Sequence, residues 1–449
     1  MTDFLTEKKH IHFIGIGGAG MYPLAQILRA KGFYITGSDN NDTDTLAAVR
    51  AMGIPVTLGH SPDNIKGADL IVHTAAIMPD NPELVAALQS GEYVIERSVL
   101  LGFISEQFNN GISIAGTHGK TTVTAMVTQI LFEAGLDPSA VIGGRLKAIG
   151  GNGRVGAMDL FVCEACEYVD TFLKLSQAVS VVLNIDGDHM EYFKTMDNLI
   201  ASFRKFCEAA TDTVVYNGDD ENTLDCIKGL EKNLVSFGFG AHNDYYPDNI
   251  VTEGMNISFD LIKSGKKLTE IHLTLAGRHN ILNAVAAAAC ADYAGAASEQ
   301  IAFGLKNFRG AGRRFEYLGE VHGAVVVDDY AHHPKEIEVT LNAAKTLGYR
   351  RIRAIFQPFT FSRTSMLLND FAKALSLADE VILTPIMGSR EKNTYGISSL
   401  DLKNQIEGCW LFDSFEEIAG FIKETSEPGD LVITLGCGDV YKIAKMLVK

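Results

Sequence analysis

Short apolar runs recur along the chain, each closed by a glycine-rich or polar turn, with apolar residues at helical spacing in between. Runs at 11–15, 34–37 and 70–75 read as strands, and 20–31 and 44–52 as helices. "EQFNNG" (106–111) is polar and turn-prone and marks a boundary, after which "GISIAG" begins a second series. That series continues with strands at 159–163, 179–183 and 213–216 and an alanine-rich helix at 279–294. "FRGAGRRF" (308–315) reads as a connector to a third series, with strands near 323–328, 352–356, 380–384 and 431–435. Strands alternating with helices predict parallel sheets. The expected fold is therefore α/β in three domains: a Rossmann-like domain over 1–110, a central P-loop-type domain over 111–313 and a Rossmann-like domain over 314–449.

Composition agrees with this size. The 449 residues suit three domains of about 150 each, and 47% apolar with 21% charged residues supports substantial cores. A net charge of −16 argues against nucleic acid as a partner. No apolar run reaches membrane-spanning length, and "MTDFLTEKKHIHF" lacks the apolar core of a signal peptide, so a cytoplasmic protein without membrane contact is expected. Seven scattered cysteines suit reduced thiols. Cys163 and Cys166 have CxxC spacing, but a lone pair reads more simply as two small residues at a strand end than as a zinc or redox site.

Two glycine loops carry the chemistry. In "HFIGIGGAGM" (12–21) a strand runs into Gly15, Gly17 and Gly20, spaced GxGxxG, with Gly18 and Met21 in the same turn and Asp39 where a ribose-binding acid belongs. Alone, this reads as a dinucleotide site. In "IAGTHGKTT" (114–122) a second loop, Gly116, Thr117, His118, Gly119, Lys120, Thr121 and Thr122, joins a strand to a helix. Its amides and Lys120 suit a triphosphate, and the Thr121 hydroxyl suits Mg²⁺. The loop is shorter than the full GxxxxGK[ST] pattern, since Ile114 stands where the first glycine belongs. Glu164 and His189 follow strands and would converge near it, with carboxylate the better Mg²⁺ ligand and a hydrogen-bonding role open to His189. His279, Asn280 and Asn283 share one helix face and could meet a nucleobase, although Asn280 also fits a plain N-cap. Arg313 and Arg314 fit either charge neutralisation at a phosphoryl group or a solvated linker.

Taken in order, "GIGGAGM" (15–21), "GTHGKTT" (116–122), "EACE" (164–167), "NIDGDHMEYF" (184–193), "GRHNILNA" (277–284), "GAGRRFE" (310–316), "DDYAHHP" (328–334), "FSRT" (361–364), "SREKNTYGISS" (389–399) and "GCGDV" (436–440) resemble the Mur ligase superfamily over nearly the whole chain. The resemblance implies an ATP-dependent ligase that joins L-alanine to the carboxylate of UDP-N-acetylmuramate through an acyl phosphate, in cytoplasmic peptidoglycan precursor synthesis. It implies Mg²⁺, with Mn²⁺ able to substitute, and a monomer or weak homodimer. In that reading the first turn, with Ser38, Asp39, Thr74 and Ala75, holds a UDP-sugar rather than NAD. Lys120, Thr121, Glu164 and His189 hold the ATP phosphates and metal. His279, Asn280 and Asn283 lie at the nucleotide, and Arg314 and Asp329 close over it. Tyr330, His332 and Arg363 place the amino acid, and His332 is the candidate base, with a structural role for His332 and His333 also open.

The chain departs from the family pattern at Cys166, which replaces an acid and leaves the metal site to Glu164, with Glu167 open as a second carboxylate, and at Phe359, which replaces a histidine. Counted from His189, the position of a carbamylated lysine in other branches is Phe203, so no carbamate is expected. Three rivals stand beside this reading: an NAD-dependent dehydrogenase, a nucleotide-dependent binding protein that has lost ligation, and a tripeptide-recycling ligase of the same superfamily.

Overall fold

The structure, a computed structural model, describes all residues except 1–3, 6, 158, 276, 390 and 449. Arg390 of the 389–399 motif therefore lies outside the described residues. Three sheets, mostly parallel, carry the α/β fold.

The first sheet contains β1 (His10–Ile14), β2 (Tyr34–Asp39), β3 (Val56–Leu58), β4 (Leu70–His73) and β5 (Tyr93–Glu96), in the order β3-β2-β1-β4-β5. The pairs are parallel, β1 lying between β2 and β4. The chain reverses direction across the sheet at β1, and the crevice beyond its carboxyl end is where such sheets bind ligands. The GxGxxG turn occupies that position.

The second sheet contains β6 (Asn110–Ala115), β7 (Ser139–Leu146), β8 (Gly151–Arg154), β9 (Leu160–Glu164), β10 (Val179–Val182), β11 (Thr213–Asn217), β12 (Asn233–Phe237), β13 (Tyr245–Glu253), β14 (Asn256–Lys263) and β15 (Lys266–Thr274). Their order is β15-β14-β13-β12-β11-β10-β6-β9-β7-β8. β6 lies between β9 and β10, both parallel to it, so the loops after these three strands emerge side by side.

The third sheet has the order β16-β17-β21-β18-β19-β20, from β16 (Glu316–Val321), β17 (Ala324–Asp329), β18 (Arg351–Phe356), β19 (Glu380–Leu383), β20 (Trp410–Leu411) and β21 (Asp430–Leu435). Only β16 runs antiparallel to its neighbour.

The expected strands fall within a residue or two of those found. The sequence reading lacked the β13–β14–β15 extension, whose two-residue turns at Gly254 and Gly265 have positive φ and suit antiparallel neighbours. It also needs one correction. The helix begins at His279 and runs to Tyr293, so Asn280 lies inside its first turn and does not cap it. Phe203 is fully buried against Phe172, their rings 5.2 Å apart.

Contacts divide the chain into two compact units. One comprises the chain up to Ile250 with Ser258–His272 and Leu282–Phe308, and the other Val251–Ile257, Leu273–Ile281 and the chain from Arg309 onward. The first unit holds the first sheet and most of the second.

Candidate functional site

At the end of β1 the glycine turn is held by main chain. The amides of Gly15 and Ile16 both donate to the Ser38 carbonyl, at 2.8 and 3.0 Å. Gly15 has φ +84°, and a Cβ there would meet the Thr74 methyl at 2.7 Å, so only glycine fits. Asp39 faces inward: Oδ2 accepts from the Gly17 amide at 2.9 Å and Oδ1 from the Asn41 amide at 2.9 Å. The carboxylate thus pins the turn. Ser38 and Met21 lie in the core, at 0% and 1% exposure. The Ser38 hydroxyl donates to Glu83, a buried carboxylate that also meets His12 at 2.6 Å and His60 at 3.1 Å. Thr74 is half-buried beside Gly15, and Ala75 is exposed.

The second loop follows β6. Gly116 (φ +140°) and Gly119 (φ +89°) take conformations that side chains avoid. A Cβ on Gly119 would lie 2.8 Å from the Asn283 Oδ1, which places Asn283 against the loop. Asn184 clamps the loop from β10: its Oδ1 accepts from the His118 amide (2.8 Å) and its Nδ2 donates to the His118 carbonyl (3.0 Å). Helix Lys120–Glu133 then starts directly at the turn, and a helix N-terminus favours an anion. Thr121 is buried and Thr122 half-buried in its first turn.

The Lys120 ammonium donates to the carbonyls of Gly116 (2.5 Å) and Thr117 (3.2 Å) and to both oxygens of Glu167 (3.1 and 3.0 Å). Burial alone would favour the neutral amine. The Glu167 carboxylate outweighs it, and Lys120 stays charged with its pKa raised. Glu164 ends β9, its Oε1 accepting from the Gly143 amide at 2.7 Å. His189 has its ring 4.6 Å from that of Tyr168 and its Nδ1 3.4 Å from Glu191.

Among the described residues no group of three or more His, Cys, Asp or Glu side chains is gathered as a metal cage. Thr121, Glu164 and His189 would offer a cation one hydroxyl, one carboxylate and one imidazole. Such a sparse set suits an ion that keeps waters and arrives with phosphate oxygens, as Mg²⁺ does. Cys163 is buried in β9, and neither it nor Cys166 belongs to a ligand group of that size.

A cavity of about 290 Å³ runs from the first glycine turn to the end of β9. Ala19 and Gly20 of the first turn line one part, Gly143, Glu164 and Cys166 another, and Arg97 the wall between. Arg97 is the first residue of helix Arg97–Ser105, and a Cβ on Gly20 would come within 3.0 Å of its side chain. Arg97, Gly143, Asn184 and the Lys120–Glu167 pair were not assigned from sequence. The second acid of "EACE" and the asparagine opening "NIDGDH", each just past a strand, were the available signals.

The second unit gathers its own set. Arg313 is anchored, donating to Asp328 (2.8 Å) and to the Gly436 (2.5 Å) and Gly438 (2.9 Å) carbonyls, which favours a structural part for it. Arg314 lies 5.2 Å over the Tyr330 ring. Asp329 accepts from the Phe315 and Ala331 amides, both at 2.8 Å. Burial pushes its pKa up to about 6, against the pull of Arg314 and these two amides. The His332 Nδ1 faces the Tyr330 carbonyl at 3.1 Å, a partner that needs an N–H, so Nε2 is left with the lone pair. Burial lowers the His332 pKa, the Arg363 and Arg314 charges add to this, and Glu336 opposes it. Arg363 lies in helix Phe361–Met366, behind Thr360 at φ +64°. His279 is exposed and Asn280 half-buried.

Comparison with known proteins places these features in one family. Residues 10–109 match the Mur ligase family catalytic domain, 114–291 the Mur ligase middle domain and 313–438 the Mur ligase glutamate ligase domain. A UDP-N-acetylmuramate–L-alanine ligase of Caldanaerobacter subterraneus subsp. tengcongensis is 43% identical, the alignment covering 99% of this chain and 98% of the relative. The same ligase of Agathobacter rectalis is also 43% identical, with 98% of each chain covered. Among solved structures, the UDP-N-acetylmuramate–alanine ligase MurC of Thermotoga maritima superposes with a TM-score of 0.84 at 30% identity, covering 98% of each chain. A murein peptide ligase of Psychrobacter arcticus reaches 0.77 at 25% identity, with the same coverage. By matches to all three domains and full-length identity to its relatives, the chain belongs to the Mur ligase family.

Proposed function

We propose that this protein is an ATP-dependent ligase that joins L-alanine to the carboxylate of UDP-N-acetylmuramate. The observation that carries the reading is the cavity running from the first glycine turn to Glu164, beside the Lys120 loop. It gives a sugar diphosphate and a triphosphate adjoining places. A dehydrogenase leaves Lys120, Glu164 and their loop without a task. Between the two ligase readings, the alanine ligase structure has both the higher TM-score and the higher identity. The family matches support domain boundaries near 110 and 313.

A carboxylate is a poor electrophile. Transfer of the ATP γ-phosphoryl group to it gives an acyl phosphate and ADP, and attack by the alanine amine then releases phosphate. Lys120 and the loop amides offset charge on the phosphates. Thr121, Glu164 and His189 would hold Mg²⁺, which would supply further positive charge to the transfer. Arg97 is placed to hold anionic groups of the UDP-sugar along the cavity wall. In the second unit, Arg314 and Asp329 serve the nucleotide, and Arg363 and Tyr330 the amino acid. The Nε2 lone pair of His332, neutral at pH 7, can take the proton from the alanine ammonium. A cytoplasmic reaction belongs to the same proposal. No helix among the described residues is long and apolar enough to cross a membrane.

The test is phosphate release from ATP with UDP-N-acetylmuramate and a panel of amino acids. L-alanine should give the highest rate, and equal turnover without any amino acid would point to a plain ATPase. Two further results are expected. In Gly143→Ala the new Cβ would lie 2.5 Å from the Glu164 Oε2 and push the carboxylate away. Turnover should fall about 10- to 100-fold at fixed Mg²⁺, recover in part at higher Mg²⁺, and leave the melting temperature unchanged. The second concerns pH. Asp329, with its pKa near 6, protonates just below neutrality, so kcat/KM for ATP should fall as pH drops through about 6. Stability runs the other way. The folded pKa exceeds the unfolded value of 3.8, so this group favours folding most below 3.8 and loses that contribution as pH rises to 6. Asp329→Ala should remove this step near 6 and leave the fall that comes from protonation of His332.

A further inference from the structure

Two neighbouring loops share an unusual backbone. Val169 (φ 53°) and Asp170 (φ 55°) after β9, and His189 (φ 54°) and Lys194 (φ 69°) after β10, are left-handed without being glycine. L-residues avoid this region, a β-branched valine most of all. Such conformations persist where the surroundings over-determine them.

Here the surroundings converge on Asp170. Its Oδ2 accepts from the Tyr192 hydroxyl at 2.7 Å, and its Oδ1 accepts from the Ser202 hydroxyl on helix Met196–Glu208. Its own amide donates to the Glu167 carbonyl at 3.0 Å, closing a turn that starts at the residue holding Lys120. Two residues before Asp170, Tyr168 packs on the His189 ring. Beyond the turn, Phe172 stacks on Phe206 at 4.9 Å, anchoring the loop in the core. One carboxylate therefore ties the loop that carries Glu167 to the loop that carries His189.

We propose that Asp170 is a positioning residue, clamping the two loops so that Glu164 and Glu167 keep a fixed placement relative to His189. The inference rests on the ligase reading, in which these groups face the phosphates and the cation. Asp170 itself touches neither Lys120 nor His189 by hydrogen bond; it acts through Tyr192, Ser202 and the turn. A residue that merely held the fold together would lower the melting temperature and weaken every substrate alike.

The test uses Tyr192→Phe, which removes only the hydroxyl, and Asp170→Asn. Amide hydrogen exchange of both loops is measured in the nucleotide-free protein. The Mg²⁺ concentration at half-maximal rate and the KM for UDP-N-acetylmuramate are measured in turnover. Exchange should accelerate in both loops together, at the amides of Asp170, Phe172, Tyr192 and Phe193. The Mg²⁺ midpoint should rise about 10-fold with the UDP-sugar KM unchanged. Unchanged exchange, acceleration confined to one loop, or a UDP-sugar KM that rises in step with the Mg²⁺ midpoint would each overturn the clamp. If the wild-type protein shows no amino-acid-dependent turnover, the ligase reading fails by itself, and the exchange experiment still decides whether Asp170 joins the loops.

Discussion

Lys120→Ala should lower the ligation rate by about 10³-fold while UDP-N-acetylmuramate still binds. The ammonium is the cation of the second loop, and its charge is kept by Glu167 despite burial. Removing it takes away a positive charge where the transferring group gains negative charge, in surroundings that screen poorly. Lys120→Arg should not restore the rate. The ammonium sits among two carbonyls and a carboxylate, and the wider guanidinium fork cannot occupy the same point. Single-turnover phosphate release, with UDP-sugar binding measured separately by calorimetry, checks both. A Lys120→Ala enzyme within tenfold of wild type would remove the second loop from the mechanism.

Glu380→Ala is the largest expected loss of stability. Arg353 is fully buried in the third sheet, where it pairs with Glu380, donates to Ser426 (2.9 Å) and Thr425 (2.7 Å), and lies 5.4 Å over the Phe421 ring. Truncating its partner leaves a buried guanidinium short of its countercharge, at a cost of about 3–5 kcal/mol. Arg353→Met combined with Glu380→Leu should cost far less, because both charges leave together. The single tryptophan, Trp410, sits 5.0 Å from Phe421 in the same unit and reports the transition by its fluorescence during denaturant unfolding. A loss under 1 kcal/mol for Glu380→Ala would show that the remaining hydroxyl partners suffice.

The sheets were legible where their strands are buried on both faces. β10 and β21 are buried along their whole length and read as mostly apolar runs between turns, broken only by Ser180, Asp430 and Thr434. β13 is the opposite case: past its first three residues it is exposed throughout, so no period marks it as a strand. Site residues followed the same logic. Lys120 was legible because strand, glycines, lysine and helix are consecutive. Glu164 was legible because a strand ends on it. The bond between Lys120 and Glu167 was not, because it depends on a left-handed turn at Val169 and Asp170 that neither residue type advertises. Arg97 is an ordinary first residue of a helix until β7 and the first glycine turn are brought to face it. Arg313 and Arg314 look alike in sequence and both lie over the Tyr330 ring, at 5.0 and 5.2 Å, but Arg313 is in addition bound into the Gly436–Gly438 turn.

The ammonium of Lys120 has three hydrogens and four oxygens competing for them. A triphosphate that draws it forward leaves behind Glu167, a carboxylate only 2% exposed. The loop is thus already neutral at rest, and nucleotide entry is an exchange of counter-ions rather than the filling of a bare positive hole. Net affinity is then the difference between two ion pairs, and it answers to the residue behind the lysine as much as to the lysine.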